Sequence, residues 1–117
     1  MAKPYNLEDR TEEFAKDVRA FVRKLLLDLP NKEDAKQLIK SSGSVGANYI
    51  EANEKLGEKD FKFRAKIARK EAKESMYWLK LIDTLGDNEL DEFKQGLIQE
   101  AKELRSILSA IINKSGN

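Results

Sequence analysis

No cysteine and no histidine occur in the 117 residues. Without cysteine there can be no disulfide framework, thiolate nucleophile or cysteine-based zinc site. Without histidine there can be no Ser-His-Asp triad, no imidazole acid or base, and no Glu-x-x-His pair of the kind that di-iron bundles use. Proline and glycine are scarce, at two and six residues, and so few turn formers disfavour an all-β fold. No apolar run approaches the ~20 residues that span a bilayer. The start, MAKPYNLEDR, has no apolar signal region. A soluble cytoplasmic protein is therefore expected. An excess of one charge is missing as well. The 22 basic and 21 acidic residues leave a net charge of +1, which gives no bulk attraction to nucleic acid, acidic substrates or anionic membranes.

What remains is a charge-rich chain, 37% charged and 40% hydrophobic, long enough for one domain over 1–117. Its apolar residues recur at steps of three and four, the period of amphipathic helices. The first helix is expected over about 7–28, with Asn6 as N-cap, Phe14, Val18, Phe21 and Leu25 on its inner stripe, and Val22, Leu26 and Leu29 flanking. Pro30 should end it. The second is expected over about 32–56, capped by Asn31. Its stripe is Leu38, Ser42, Val45, Tyr49, Ala52 and Leu56, and Gly57 follows as a C′ residue. The third is expected over about 59–85, with Phe61, Ala65, Ala68, Ala72, Ser75, Leu79 and Ile82 inward and Gly86 closing it. The fourth is expected over about 89–113, capped by Asp87 or Asn88. Leu90, Phe93, Leu97, Ala101, Leu104, Leu108 and Ile111 face inward, and a frayed tail, NKSGN, follows. Connections this short make neighbours antiparallel. The fold class is all-α, an up-down-up-down four-helix bundle.

The third helix carries more than a core stripe. Arg64, Ile67, Glu71, Glu74, Trp78, Leu81 and Leu85 form a second row, charged in one half and apolar in the other. The row is either a wide core face with Trp78 at its edge or a second interface that a small monomer would not need, which makes Ile67, Trp78, Leu81 and Leu85 candidates for an oligomer interface. Ile98, Ile107 and Ile112 are a similar surplus on the fourth helix. The opposite flank of the third helix reads Lys62, Lys66, Arg69 and Lys73 at 4-3-4 spacing, with Lys59 and Lys70 adjacent. Such a stripe could follow a phosphate backbone, although a solvated helix face is the plainer reading. No aromatic residue interleaves with it, so base stacking is not supported. Glu51, Glu71 and Glu74, near Asn48 and Asn53, could face one another across helices. An oxygen-only Mg²⁺ or Mn²⁺ site is conceivable there. The favoured reading is a polar network of Asn48, Glu51, Glu71 and Glu74 neutralised by Arg64 and Lys70, because an unpaired buried carboxylate is costly. No metal, cofactor or catalytic residue is expected.

The stretch SSGSVGAN at 41–48 invites a ligand-loop reading. It is followed by no GKS or GKT, so it is not a P-loop. Its GSVG has the spacing of a KH-type loop, but that loop belongs to a mixed α/β fold. The stripe Leu38, Ser42, Val45, Tyr49 also passes through it without losing phase. The stretch is therefore expected mid-helix, with Gly43 and Gly46 admitting a neighbour closely and Ala65, Ala68 and Ala72 offering a matching thin surface.

These residues carry a family resemblance. IKSSGSVGANYIEA and KDFKFRAKIARKEAKESMYWLKLI resemble the bacterial four-helix-bundle family of 23S rRNA intervening-sequence proteins. The family pattern falls on Ser42, Ser44, Val45, Asn48, Glu51 and Ala52, then on Asp60, Phe61, Ile67, Ala68, Lys70, Glu71, Ala72, Glu74, Trp78 and Leu79. Tyr49 stands where the family more often has isoleucine. The resemblance implies a bundle that assembles into a ring, typically a homopentamer. Its members are often encoded within insertions in large-subunit ribosomal RNA genes. The accessory protein of diversity-generating retroelements is similar in architecture and binds nucleic acid and a reverse transcriptase.

The functional expectation is a non-enzymatic, ring-forming bundle that binds RNA or a ribonucleoprotein through Lys59, Lys62, Lys66, Arg69 and Lys73. The alternatives are a protein-interaction scaffold with no nucleic-acid role, or an accessory protein of the retroelement type. A metal-dependent enzyme built on Glu51, Glu71 and Glu74 ranks last.

Overall fold

The computed structural model describes residues 6–54 and 56–114. Four helices follow in chain order: α1 (Leu7–Arg23), α2 (Leu29–Glu54), α3 (Glu58–Leu81) and α4 (Asn88–Lys114). Each packs against its sequence neighbours, and α1 also packs against α4, closing the cycle; α2 with α3 is the most extensive pairing. Cross-helix contacts show the directions. Glu8 at the start of α1 meets Asn53 at the end of α2, and Lys94 near the start of α4 reaches Ile82 just past α3. Neighbours are thus antiparallel, giving the up-down-up-down four-helix bundle expected from the periodicity. Of the tail expected to fray, Asn113 and Lys114 still belong to α4, and residues 115–117 lie outside the described residues.

The helix boundaries differ from the periodicity reading, for local reasons. Asn6 caps α1, its side-chain oxygen accepting from the Glu8 and Asp9 N–H groups. However, α1 stops at Arg23 instead of continuing to Asp28. Asp28 rather than Asn31 serves as the cap of α2, accepting from the Asn31 N–H at 3.0 Å. Pro30 therefore sits in the first turn of α2, where no N–H is needed, and does not terminate α1. This start draws residues 26–28 out of the helix, leaving Leu26 and Leu29 exposed instead of flanking the core. Leu56, expected on the α2 stripe, is 94% exposed in the connection. Gly57 (φ 138°) precedes α3 in a conformation reserved for glycine. At the far end α3 stops at Leu81, and Ile82 is extended. The Asp83 carboxylate accepts from the Leu85 N–H at 2.8 Å, forming an Asx turn. Leu85 is consequently off the helix, at φ 53°, a left-handed conformation that costs an L-residue about 1–2 kcal/mol. Asp87 caps α4.

Asn31 joins the two connections at this end. Its side chain is 1% exposed. The amide donates to the Leu26 and Asp83 carbonyls and accepts from the Asp83 N–H. One buried amide thereby satisfies three backbone groups that no helix provides for.

The core has a thick half and a thin half. At the Asn31 end, Phe14, Val18, Phe21, Leu38, Leu79, Leu97 and Leu104 interlock, and Phe21 meets Phe93 edge-on at 5.4 Å. Towards the other end the buried set shrinks to Val45, Ala68, Ala72 and Leu108, with Ala52 and Ala65 also fully buried. Ile112 is buried at the end of α4 and Ile111 only partly so, one position away from the expected stripe. The stretch 41–48 is helical throughout. The close approach at Gly46 comes from α1, not α3: a Cβ there would stand 2.9 Å from Thr11 Oγ1 and 3.2 Å from Thr11 Cβ. A Cβ on Gly43 would meet only the tip of Arg19, at 3.5 Å.

Opposite outcomes are expected at the two glycines. Gly43→Ala should raise stability by up to about 1 kcal/mol through helix propensity. Gly46→Ala should lower it, and Gly46→Leu should cost about 1–3 kcal/mol or more, far beyond Lys40→Leu at an exposed site. Urea denaturation would measure both, and pairing Gly46→Ala with Thr11→Ala should recover most of the loss. Asn31→Ala, which strands three backbone groups, should cost roughly 2–3 kcal/mol in the same assay.

Candidate nucleic-acid interface

The α3 register places the basic side chains on one flank of that helix. Lys59, Lys66 and Lys73 are exposed, and Lys62 and Arg69 are partly buried. Arg69 leans towards α4, its guanidinium donating to Ser109 Oγ at 3.3 Å. That contact identifies the flank as the outer seam between α3 and α4. On α4, Arg105 and Lys102 precede Ser109 by four and seven residues, so they lie on the same side. Both are exposed. The seam therefore joins the basic stripe of α3 to Lys102 and Arg105 of α4. Sequence periodicity missed the α4 members because two cations four and seven residues before a serine signal nothing until the packing aligns them. Tyr77, 57% exposed, lies one turn beyond Lys73. An aromatic face thus lies just past the end of the stripe, although none interleaves with it.

The other flank of α3 forms a shallow groove with α2 of about 170 Å³, lined by Gln37, Lys40, Ser41, Ser44, Glu71, Glu74 and Trp78. At its floor Ser41 and Ser75 share a hydrogen bond of 2.9 Å, and Ser75 donates to the Glu71 carbonyl. Burial, and then the neighbouring Glu74 carboxyl, push the Glu71 carboxyl above its ordinary range; Lys70 and Lys40 partly offset this. The polar network expected here is assembled only in part. Asn48 bonds back to the Ser44 carbonyl of its own helix at 2.9 Å. Glu51 is exposed, and Arg64 lies beside the Phe63 ring, 5.8 Å from its centroid. Among the described residues no hydrogen bond ties Asn48 or Glu51 to the Glu71–Glu74 pair. Nor does any group of three acidic side chains come close enough to hold a metal, so Glu51 does not complete a cluster with them.

Of the candidate interface residues, Ile67 and Trp78 are partly buried and Leu81 is 46% exposed on this flank. Leu85 is not in the row, because the chain has left the helix four residues earlier. An ion pair that sequence periodicity did not reveal joins α1 to α4. Arg10 binds Glu100 in bidentate fashion at 2.7 and 2.9 Å, and Glu103 at 2.8 Å. The Glu100 hydrogen bond holds the Arg10 guanidinium above its already high ordinary range. Among the described residues no helix is long and apolar enough to cross a membrane.

The fold and seam define a class, an antiparallel helical bundle with a cationic edge and, among the described residues, no acidic cluster placed to hold a metal. The chain belongs to the 23S rRNA-intervening sequence protein family, whose profile matches residues 6–110. It is similar to a solved structure from Bacteroides thetaiotaomicron, a protein of unknown function from the S23 ribosomal protein family. That likeness has a TM-score of 0.77 and 28% identity, and covers 92% of this chain and 98% of the other. None of the curated proteins is a significant match to the chain. No enzyme family is indicated by these matches.

The acidic pair on the groove should make stability depend on pH. A carboxyl raised in the folded state binds its proton more tightly there than in the unfolded chain. That stabilisation is complete below the ordinary carboxylate value and is lost as pH rises through the folded value. Asp17, raised by burial and then by Glu13, acts in the same direction. The melting temperature should fall as pH rises above the ordinary carboxylate range on account of these groups. Glu71→Gln should flatten that fall and melt higher than wild type at neutral pH, as followed by circular dichroism.

Proposed function

We propose that this protein is a non-enzymatic RNA- or ribonucleoprotein-binding bundle that works in the cytoplasm as a self-assembled ring. The basic seam between α3 and α4 carries the proposal. Lys62, Lys66, Arg69 and Lys73 supply one edge, Lys102 and Arg105 the other, and Lys59 extends the first towards the start of α3. Cations alone hold a phosphate backbone without reading bases, and exposed Tyr77 adds a surface on which an unpaired base can stack. The family's connection with ribosomal RNA insertions supports RNA over DNA. A near-neutral net charge is compatible with this, because basic side chains can gather on one seam without an overall excess. Self-assembly would use the α2–α3 flank, where Ile67, Trp78 and Leu81 border the groove. A ring repeats the seam around its circumference and multiplies a weak contact.

Titrating a single-stranded RNA while raising salt tests this. With six phosphate contacts, the logarithm of affinity should fall against the logarithm of salt with a slope of roughly −4. Lys62→Gln/Lys66→Gln/Arg69→Gln/Lys73→Gln should make the slope about 3 shallower. Absence of binding at low salt would rule out the RNA reading and leave a protein scaffold. Light scattering checks the ring separately: a monomer that persists at high concentration contradicts it.

A further inference from the structure

We propose that the end of the bundle closed by Asn31 is a docking surface for a basic amphipathic segment of a partner protein. Four leucines stand out there, Leu26 at 66%, Leu27 at 49%, Leu29 at 73% and Leu85 at 53% exposure. Leu26 and Leu27 lie in the α1–α2 connection, Leu29 opens α2 and Leu85 lies in the α3–α4 connection, and the Asn31 amide holds the Leu26 and Asp83 backbones within hydrogen-bond distance of one side chain. The patch is therefore preorganised. Leu85 has a second distinguishing feature. Its backbone is left-handed at φ 53°, where glycine or asparagine would rest without strain. A strained backbone that turns an apolar side chain into water is unfavourable twice over within this chain, and covering that side chain would offset both.

The surrounding charge selects the occupant. Residues 23–34 and 80–94, which form the two connections and the helix ends beside them, carry eight acidic and five basic side chains. Lys94 donates to the Ile82 carbonyl at 2.8 Å, and Lys24 lies over the Phe93 ring. An apolar centre with a net acidic surround disfavours nucleic acid and anionic lipid. It also repels the same end of a second copy. It matches a helix or extended segment with leucine-like anchors flanked by lysine or arginine. This site is separate from the α3–α4 seam, so the two readings can fail independently.

A labelled synthetic peptide of about 16 residues, with leucines at i, i+3, i+4 and i+7 and lysines on its remaining faces, can be titrated against the full chain by fluorescence anisotropy. A matched peptide with glutamates for lysines is the control. The lysine peptide should bind and the glutamate peptide should not. Leu85→Gly relieves the left-handed strain, so it should melt at or above wild type while binding the lysine peptide about tenfold more weakly. Leu27→Ser, in the other connection, should also weaken it. Failure of the lysine peptide to bind, equal binding of the glutamate peptide, or unchanged binding by both variants would overturn the proposal. So would a concentration-dependent dimer that disappears in Leu85→Gly, which would make a second copy the occupant.

Discussion

The close approach of α2 to its neighbours is the constraint on which the rest of the molecule depends. On one side Gly46 leaves no room for even a Cβ beside Thr11 of α1. On the other, Ala65, Ala68 and Ala72 of α3 are fully buried opposite the half of α2 that carries Val45 and Ala52. Small side chains give up apolar area, and a helical glycine gives up propensity. What they gain is backbone proximity, with continuous van der Waals contact along two helices. The large side chains can then collect at the other end, where the phenylalanines and leucines form the thick half of the core. The thin half sets the spacing of the helices and the thick half supplies most of the hydrophobic stabilisation.

This arrangement also separates the charges. With the core stripe of α3 turned inward, its two remaining flanks lie about equally far round the helix, one towards α4 and one towards α2. The basic side chains fall on the first and the acidic pair, with Trp78, on the second. A net charge of +1 conceals this separation. Ion pairs elsewhere serve cohesion. Arg10 spends its fork on Glu100 and Glu103 and so fastens α1, the shortest helix, to α4. A charge-assisted, partly sheltered pair of this geometry contributes more than an exposed one such as Lys16–Glu12.

The connections show where local chemistry overrides periodicity. Leu25, Leu26 and Leu29 continue the apolar spacing of α1, yet the helix ends at Arg23 because Asp28 and Pro30 make a better helix start than Leu26 makes a helix continuation. The same happens after Leu81, where the Asp83 turn takes Leu85 out of its row. In both places leucines with helical spacing end up in loops. Spacing alone cannot distinguish a leucine on a helix face from one placed on a surface by a turn.

Helix number, antiparallel order, the inward stripes and the helicity of SSGSVGAN were determined by the sequence itself, because a 3.6-residue period with few breakers admits little else. The α3 basic stripe was legible for the same reason, as a repeat within one helix. Residues that act across helices were not legible. Lys102 and Arg105 join the seam only through the packing that brings Ser109 to Arg69, and Asn48 turns back onto its own helix instead of reaching the glutamates. Asn31 reads as an ordinary helix cap in the sequence and becomes the clasp of two loops only when Asp83, 52 residues away, arrives beside it. Periodicity is a property of one helix and can be read from the chain. The rotation and register of one helix against another depend on how side chains interlock, and only the folded structure decided them.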